Sequence, residues 1–151
     1  MTPSFWCFSK LKIRQIYFLD KEFSHVRDIR KAVFENEMGI PESEVFDEFD
    51  IESDHFLFLE QHQIIGAVRL RQIKNCIKLE RMAIYQKFRQ KEFGQIAVKQ
   101  IYAHYKGRNL EKIILDSIYD VRNFYKKCGF IEVGEIFDRV RLPHIMMELS
   151  F

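Results

Sequence analysis

Three cations crowd one turn of this chain. Lys87, Arg89 and Lys91 lie within "LERMAIYQKFRQKEFGQIAV", Leu79 to Val98, which runs from an apolar-rich segment through a basic turn into a helical pattern opening near Gly94. A helix N-terminus exposes unpaired N–H groups and a partial positive charge, so a strand leading into such a start beside these cations suits a phosphate-bearing ligand. The competing reading is a solvated basic loop capped by Gly94. A nucleotide P-loop is excluded, because the turn lacks the G-x-x-x-x-G-K-[ST] arrangement. A second concentration of charge is acidic. "PESEVFDEFDIESD" gathers Glu42, Glu44, Asp47, Glu48, Asp50, Glu52 and Asp54 with no basic residue among them. Such a run is either a solvated face or the rim of a cleft that draws in a cationic amine.

Other chemistries find no support. His25, His55, His62, His104 and His144 show no paired-ligand spacing and there is no Cys-x-x-Cys, so no metal site is expected. No G-x-S-x-G elbow exists for a serine hydrolase. With 151 residues, 47% of them hydrophobic, the chain can bury one core, and a single domain over 1–151 is expected. A net charge of +2 is too mild for a nucleic-acid footprint. No apolar run reaches membrane-span length, and "MTPSFWCFSK" lacks the features of a signal peptide. No membrane partner is therefore expected, and the chain reads as cytoplasmic. Cys7, Cys76 and Cys128 are odd in number and widely spaced, which predicts reduced thiols. The aromatic-rich segment Phe5 to Phe8 could form a contact patch if exposed. Oligomeric state is not legible.

The elements that must position these residues follow from periodicity. Leu11 to Phe18 reads as a strand. A helix is expected from Ser24, which could cap it, with Val26, Ile29 and Val33 on one stripe and Gly39 and Pro41 at its end. The acidic run is a loop or short helix. His55–Gln61 and Ile64–Gln72 form a hairpin whose first strand, apolar on both faces, is central. Ile77–Ile84 is a further strand. Gly94, Val98, Ile101 and Tyr105 mark a helix ended by Gly107, and Lys112–Asp116 is a short buried strand. Val121, Phe124, Tyr125 and Cys128 mark another helix, stopped by Gly129. Strands follow around Ile131–Ile136 and His144–Leu149, with "RLP" as the turn between them. This order predicts an α/β fold with a mixed sheet and helices on both faces.

"LERMAIYQKFRQKEFGQIAV" together with "NFYKKCGF" resembles the GCN5-related N-acetyltransferase (GNAT) family, whose cofactor motif Arg/Gln-x-x-Gly-x-Gly/Ala lies between a strand and a helix. "VRDIRKAVFENEMGIPESEVFDEFD", "IIGAVRLR" and "GEIFDRVRLPHIMMEL" extend the likeness to the small bacterial ElaA-like branch, over about Val26 to Leu149. The resemblance implies a single-domain GNAT-like, mostly antiparallel central sheet of about six to seven strands, with acetyl-CoA as co-substrate. It also implies acetyl transfer to the primary amine of a small-molecule or peptide acceptor by direct attack.

By similarity, backbone groups at Met82, Ala83 and Ile84 would meet the pantetheine arm as an added strand does. The amides of Gln90, Lys91, Glu92, Phe93, Gly94 and Gln95 would wrap the pyrophosphate, with Arg89 and Lys91 adding charge. Asn123 lies near positions that contact the cofactor. Tyr125 aligns with the tyrosine that protonates the departing thiolate, its alternative being a core tyrosine. Glu80 is the expected base for the amine, directly or through water, with His55 and Glu44 behind it; its alternative is a salt bridge to an arginine. An N–H around Met82 to Ile84 would stabilise the carbonyl oxygen. His144, in the branch's "PH" element, is expected to pack or hydrogen-bond, and a covalent route through Cys128 is disfavoured. The chain departs from the family at Glu92, which replaces the first motif glycine, and at Ser117-Ile118, where Ala-Gln is customary. These departures keep open a second reading, a non-catalytic acyl-CoA-binding or sensing module.

Overall fold

The computed structural model describes residues 11–151. Cys7 and the Phe5 to Phe8 segment lie outside the described residues. The chain runs β1 (Lys12–Ile16), α1 (Phe23–Arg30), a π-helical continuation Lys31–Glu37, α2 (Glu42–Val45), β2 (Asp54–Glu60), β3 (Gln63–Ile73) and β4 (Cys76–Ile84). It then forms α3 (Phe93–Tyr105), β5 (Lys112–Ile118), α4 (Arg122–Lys127), β6 (Ile131–Arg139) and β7 (Leu142–Ser150). One seven-stranded sheet results, in the order β1-β2-β3-β4-β5-β7-β6. Only β4 and β5 pair in parallel, joined by the α3 crossover; every other neighbour is antiparallel. The expected single-domain α/β fold, with a mostly antiparallel sheet covered on both faces, is the one observed.

The two faces are built by alternation along the strands. On β2, Phe56 and Phe58 join α3's buried stripe of Phe93, Ala97, Ile101 and Tyr105, while Leu57 points the other way to Phe23, Val26, Ile29 and Val33 of the first helix. Phe124 and Tyr125 of α4 also pack on the α3 side. Burying such side chains stabilises the fold by roughly 1.5–3 kcal/mol each.

Details of local chemistry depart from the pattern. Helix α1 starts at Phe23 with Glu22 at the N-cap and no side-chain cap, so Ser24 lies inside it. The β6–β7 turn falls at Val140 and Arg141, both at positive φ, and Leu142 and Pro143 already belong to β7. Among the described residues no helix is long and apolar enough to cross a membrane, and no group of His, Cys, Asp and Glu could hold a metal ion.

Candidate active site

The feature that makes a site is a fault in the sheet at β4. Strand β4 pairs with β5 only over Cys76–Lys78 against Lys112–Ile114, and beyond Lys78 the two strands part. On the other side, Arg69 pairs with Glu80 and Ala67 with Ala83, so Arg81 and Met82 together oppose Val68. This is a β-bulge. Arg81 sits at its centre with φ +55°, a region that costs a non-glycine residue about 1 kcal/mol or more. Its guanidinium holds it there, donating to the carbonyls of Val45 (2.9 Å) and Glu44 (3.2 Å) and to Asp47 (3.2 Å).

Two cavities open at this fault. One, of about 630 Å³, is lined by Met82, Ala83, Ile84, Phe88, Arg89, Gln90, Glu92, Phe93, Gly94 and Gln95, with Phe124, Tyr125 and Lys127 opposite. The other, of about 450 Å³, lies between the Val33–Val45 segment and the diverging ends of β4, β5 and β7. Met82, Ala83, Ile84, Arg89, Val121 and Tyr125 line both. The structure thus brings together most of the residues expected to meet a cofactor. Lys91 and Asn123 are exposed and outside these walls, whereas Phe88, Phe124 and Lys127 line the larger cavity without having been singled out. Lys127 and Phe124 belong to "NFYKKCGF", so the signal for them was present.

Local backbone explains the turn. Gln90 (φ +61°) and Glu92 (φ +65°) are both left-handed, and Glu92 is the N-cap of α3, its carbonyl accepting from Ile96 at 3.1 Å. Glu92 thus adopts the conformation a glycine takes freely. Gly94 allows a close approach: a Cβ there would lie 2.8 Å from the Phe124 ring. Arg89 is already engaged. Its Nη1 and Nη2 form a two-pronged pair with Glu37 at 2.8 and 2.9 Å, and its Nε donates to the Ile84 carbonyl at 2.9 Å.

Tyr125 sits where the two cavities meet. Among the described residues its hydroxyl's one partner is the Met82 thioether at 4.0 Å, a weak acceptor. Burial, with a smaller contribution from Cys128, pushes its pKa well above the ordinary phenol value, so the proton stays on. Burial likewise pushes the Cys128 thiol up to about 11, which leaves it protonated and unsuited to nucleophilic attack.

Glu80 is not the free base that was expected. Its carboxylate accepts from Arg69 Nε (2.9 Å) and from Arg71 Nη2 (2.9 Å) and Nε (3.2 Å), and is ion-paired with Arg69 Nη2 at 2.7 Å. Burial alone would raise its pKa, but the hydrogen bond from Arg71 and the charges of Arg69 and Arg71 outweigh it and hold Glu80 below the usual range. A carboxylate so depressed is a weak proton acceptor. Behind it lies an ion network: Arg69, 1% exposed, also pairs with Asp47 and Asp50, and Arg30, equally buried, pairs with Asp50 at 2.9 Å. Two members of the acidic run therefore turn inward, Glu44 lines the smaller cavity, and Glu42, Glu48 and Glu52 are exposed. His55 lies in the core with Nε2 2.7 Å from the Asp50 carbonyl, and burial lowers its pKa. His144 is buried, lines the smaller cavity and places Nδ1 2.8 Å from the Leu142 carbonyl.

Residues 26–151 match the sequence profile of the acetyltransferase (GNAT) domain. The chain belongs to the GNAT acetyltransferase family. A Bacillus subtilis (strain 168) chain named as an acetyltransferase is 32% identical over 123 residues, covering 80% of this chain and 84% of that one. In structure, this acetyltransferase is similar to Escherichia coli ElaA (TM-score 0.76, 20% identity, 91% of this chain and 98% of that chain). It is also similar to the spermidine N-acetyltransferase of Vibrio cholerae solved with CoA and spermine (TM-score 0.70, 19% identity, 94% and 96% covered). Family membership makes the chain an acetyl-CoA-dependent N-acetyltransferase, with acetyl-CoA as co-substrate.

Proposed function

We infer that this acetyltransferase moves the acetyl group of acetyl-CoA directly to a primary amine of a small-molecule or peptide acceptor. The observation that carries this reading is the meeting of two cavities at Met82–Ile84 and Tyr125, where the Tyr125 hydroxyl has no partner stronger than a thioether among the described residues. The larger cavity takes CoA. Its pantetheine runs along the unpaired side of β4, and its pyrophosphate lies at the start of α3 among the amides of Gln90 to Gln95, with Arg89, Lys91, Lys127 and Asn123 near its phosphates. The smaller cavity takes the amine, and Glu44 offers a carboxylate to a cationic acceptor.

The amine lone pair attacks the thioester carbon across the shared wall, and an N–H of the bulged segment meets the developing oxyanion. As the carbon–sulfur bond breaks, the Tyr125 hydroxyl gives its proton to the sulfur. Desolvation raises the proton affinity of a thiolate as it raises that of the phenol, so the transfer is not opposed by the buried setting. A covalent route through Cys128 is disfavoured by its protonated thiol.

Thiol release from acetyl-CoA across an amine panel tests the reading, beside the variant Tyr125→Phe. At least one amine should be acetylated, and loss of the hydroxyl should lower kcat by about a hundredfold while the ring keeps its packing. Acetyl-CoA at about a hundred times its dissociation constant should stabilise both proteins by about 2.7 kcal/mol. Stabilisation without turnover on any amine would identify an acyl-CoA-binding module instead. Full activity of Tyr125→Phe would return that residue to the core.

A further inference from the structure

Amine transfer needs a proton acceptor, and the carboxylate nearest the reaction centre on β4 is committed to arginines. Among the described residues that line the acceptor cavity, Glu44 keeps an unpaired but exposed carboxylate, whereas His144 is buried and held in place. His144 on β7 lies opposite Ile118 of β5 and Phe137 of β6, with its ring stacked on that of Phe137 at 5.8 Å between centroids and 27° between planes. Its Nδ1 is 2.8 Å from the Leu142 carbonyl, and a carbonyl can only accept. The proton of the neutral ring is therefore on Nδ1. Nε2 keeps a bare lone pair, it has no protein partner among the described residues, and the ring that carries it lines the same cavity as Tyr125 and Met82. A backbone carbonyl that fixes the tautomer and a flat neighbour that fixes the ring plane are what a general base requires.

We propose that His144 Nε2 is the base that takes the proton from the attacking amine, directly or through one water. This assignment rests on the amine-transfer reading above. The ammonium form of the acceptor gives its proton to Nε2, the neutral amine forms the carbon–nitrogen bond, the adduct's N–H proton passes to water, the carbon–sulfur bond breaks, and the sulfur takes the Tyr125 proton. The products are the amide, CoA thiol and one proton released to solvent. The imidazolium and phenolate left behind are reset by net passage of one proton between them through water. Ionised groups that line the same cavity are Lys78, Glu80 and Arg81 from β4, Asp116 from β5, Arg139 from β6, Glu44 from α2, and the paired Glu37 and Arg89. Asp116 is itself paired with Lys78 at 3.1 Å and Arg139 at 2.9 Å, and Glu44 is exposed, which leaves Nε2 the buried base of this cavity.

The test compares wild type, His144→Asn, whose amide can still donate to the Leu142 carbonyl, and His144→Gln. Two amine probes of one size are used: ethylamine, protonated at neutral pH, and trifluoroethylamine, largely neutral. Both variants should lower kcat/KM for ethylamine by about a hundredfold and for trifluoroethylamine by about threefold or less, since a neutral amine needs little help. The KM for acetyl-CoA should not move, and the acidic limb of the wild-type kcat profile should be absent from the variants. A long-range proton–nitrogen spectrum of the wild-type protein should show Nδ1 protonated and Nε2 bare. Equal losses on the two amines, no loss on either, or an Nε2-protonated ring would each refute the base while leaving amine transfer standing. A wild-type enzyme that binds acetyl-CoA yet acetylates neither probe would refute amine transfer and the base with it.

Discussion

Gly66 of β3 bears directly on the segment of β4 that lines both cavities, and replacing it by alanine gives a calculable perturbation. A Cβ at Gly66 would lie 2.5 Å from the Ala83 carbonyl oxygen, 2.8 Å from Phe58 Cδ2 and 2.9 Å from Ile84 Cγ1. The first contact falls 0.9 Å short of the 3.4 Å at which ordinary contacts begin, and the atom it meets is backbone. Phe58 is fully buried and cannot give way either. Relief must come from moving β4 at Ala83 and Ile84, next to the bulge. Overpacking of this kind costs about 1–3 kcal/mol. For a chain of this size each kcal/mol lowers Tm by about 2–4 °C, so Gly66→Ala should melt about 2–12 °C below wild type. Because the displaced residues line both cavities, kcat/KM for acetyl-CoA should also fall, by up to about a hundredfold for a shift near 1 Å. Gly107→Ala is the control: nothing lies within 4 Å of its Cβ, and only its φ of +83° is unfavourable. It should lose about 1 kcal/mol of stability and no activity. Paired thermal melts and steady-state kinetics decide the matter. A Gly66→Ala protein that melts with wild type and keeps its kcat/KM would show that β4 yields freely, and the geometric reasoning would fail.

Two other outcomes follow from the same structure. Glu92→Gly should bind acetyl-CoA about two- to tenfold more tightly at low salt and by less at high salt, as a carboxylate leaves the phosphate turn. Its Tm should hardly change, because relief of the left-handed strain, about 1 kcal/mol, offsets glycine's backbone entropy of about 0.5–1 kcal/mol; weaker binding at low salt in calorimetric titration would refute this placement. Glu80→Gln concerns pH: since the folded state depresses the Glu80 pKa, its contribution to stability is present above the unfolded value of about 4.3 and is lost as pH falls through the folded value. The variant should therefore melt below wild type at pH 7, with the difference vanishing in acid; a difference constant with pH would remove Glu80 from the ion network.

Elements whose signal is local were legible in the sequence. The i, i+4 stripe of α3, the hairpin of β2 and β3, and the basic turn opening near Gly94 all follow from side chains within a few residues of one another. What escaped depends on distant partners. The run from Glu42 to Asp54 reads as uniformly acidic because the cations that bury Asp47 and Asp50 come from α1, β3 and β4. Glu80 reads either as a base or as a salt-bridge partner, and the choice is made only when Arg71, nine residues earlier, folds back across the hairpin to reach it. The Arg81 bulge carries no glycine to announce it, since the cost of its backbone is met by hydrogen bonds to Glu44 and Val45, more than thirty residues away. His144 packs and hydrogen-bonds as expected, but its particular partners, the Phe137 ring and the Leu142 carbonyl, are set by the hairpin turn.

The parting of β4 from β5 after three paired residues changes how the sheet should be regarded mechanically. Strands β1 to β4 form one leaf, β5 to β7 another, and the short parallel seam at Cys76–Lys78 is their hinge, with α3 as the strap across it. In a strand, alternate amides point to opposite neighbours. Beyond Lys78, those on the β5 side of β4 have no strand to bond, so amides at the geometric middle of the sheet should exchange with solvent as edge amides do, while those of β2 and β3 are held on both sides. A molecule lying along that side would act as the missing strand, and its arrival would weld two leaves into one continuous sheet.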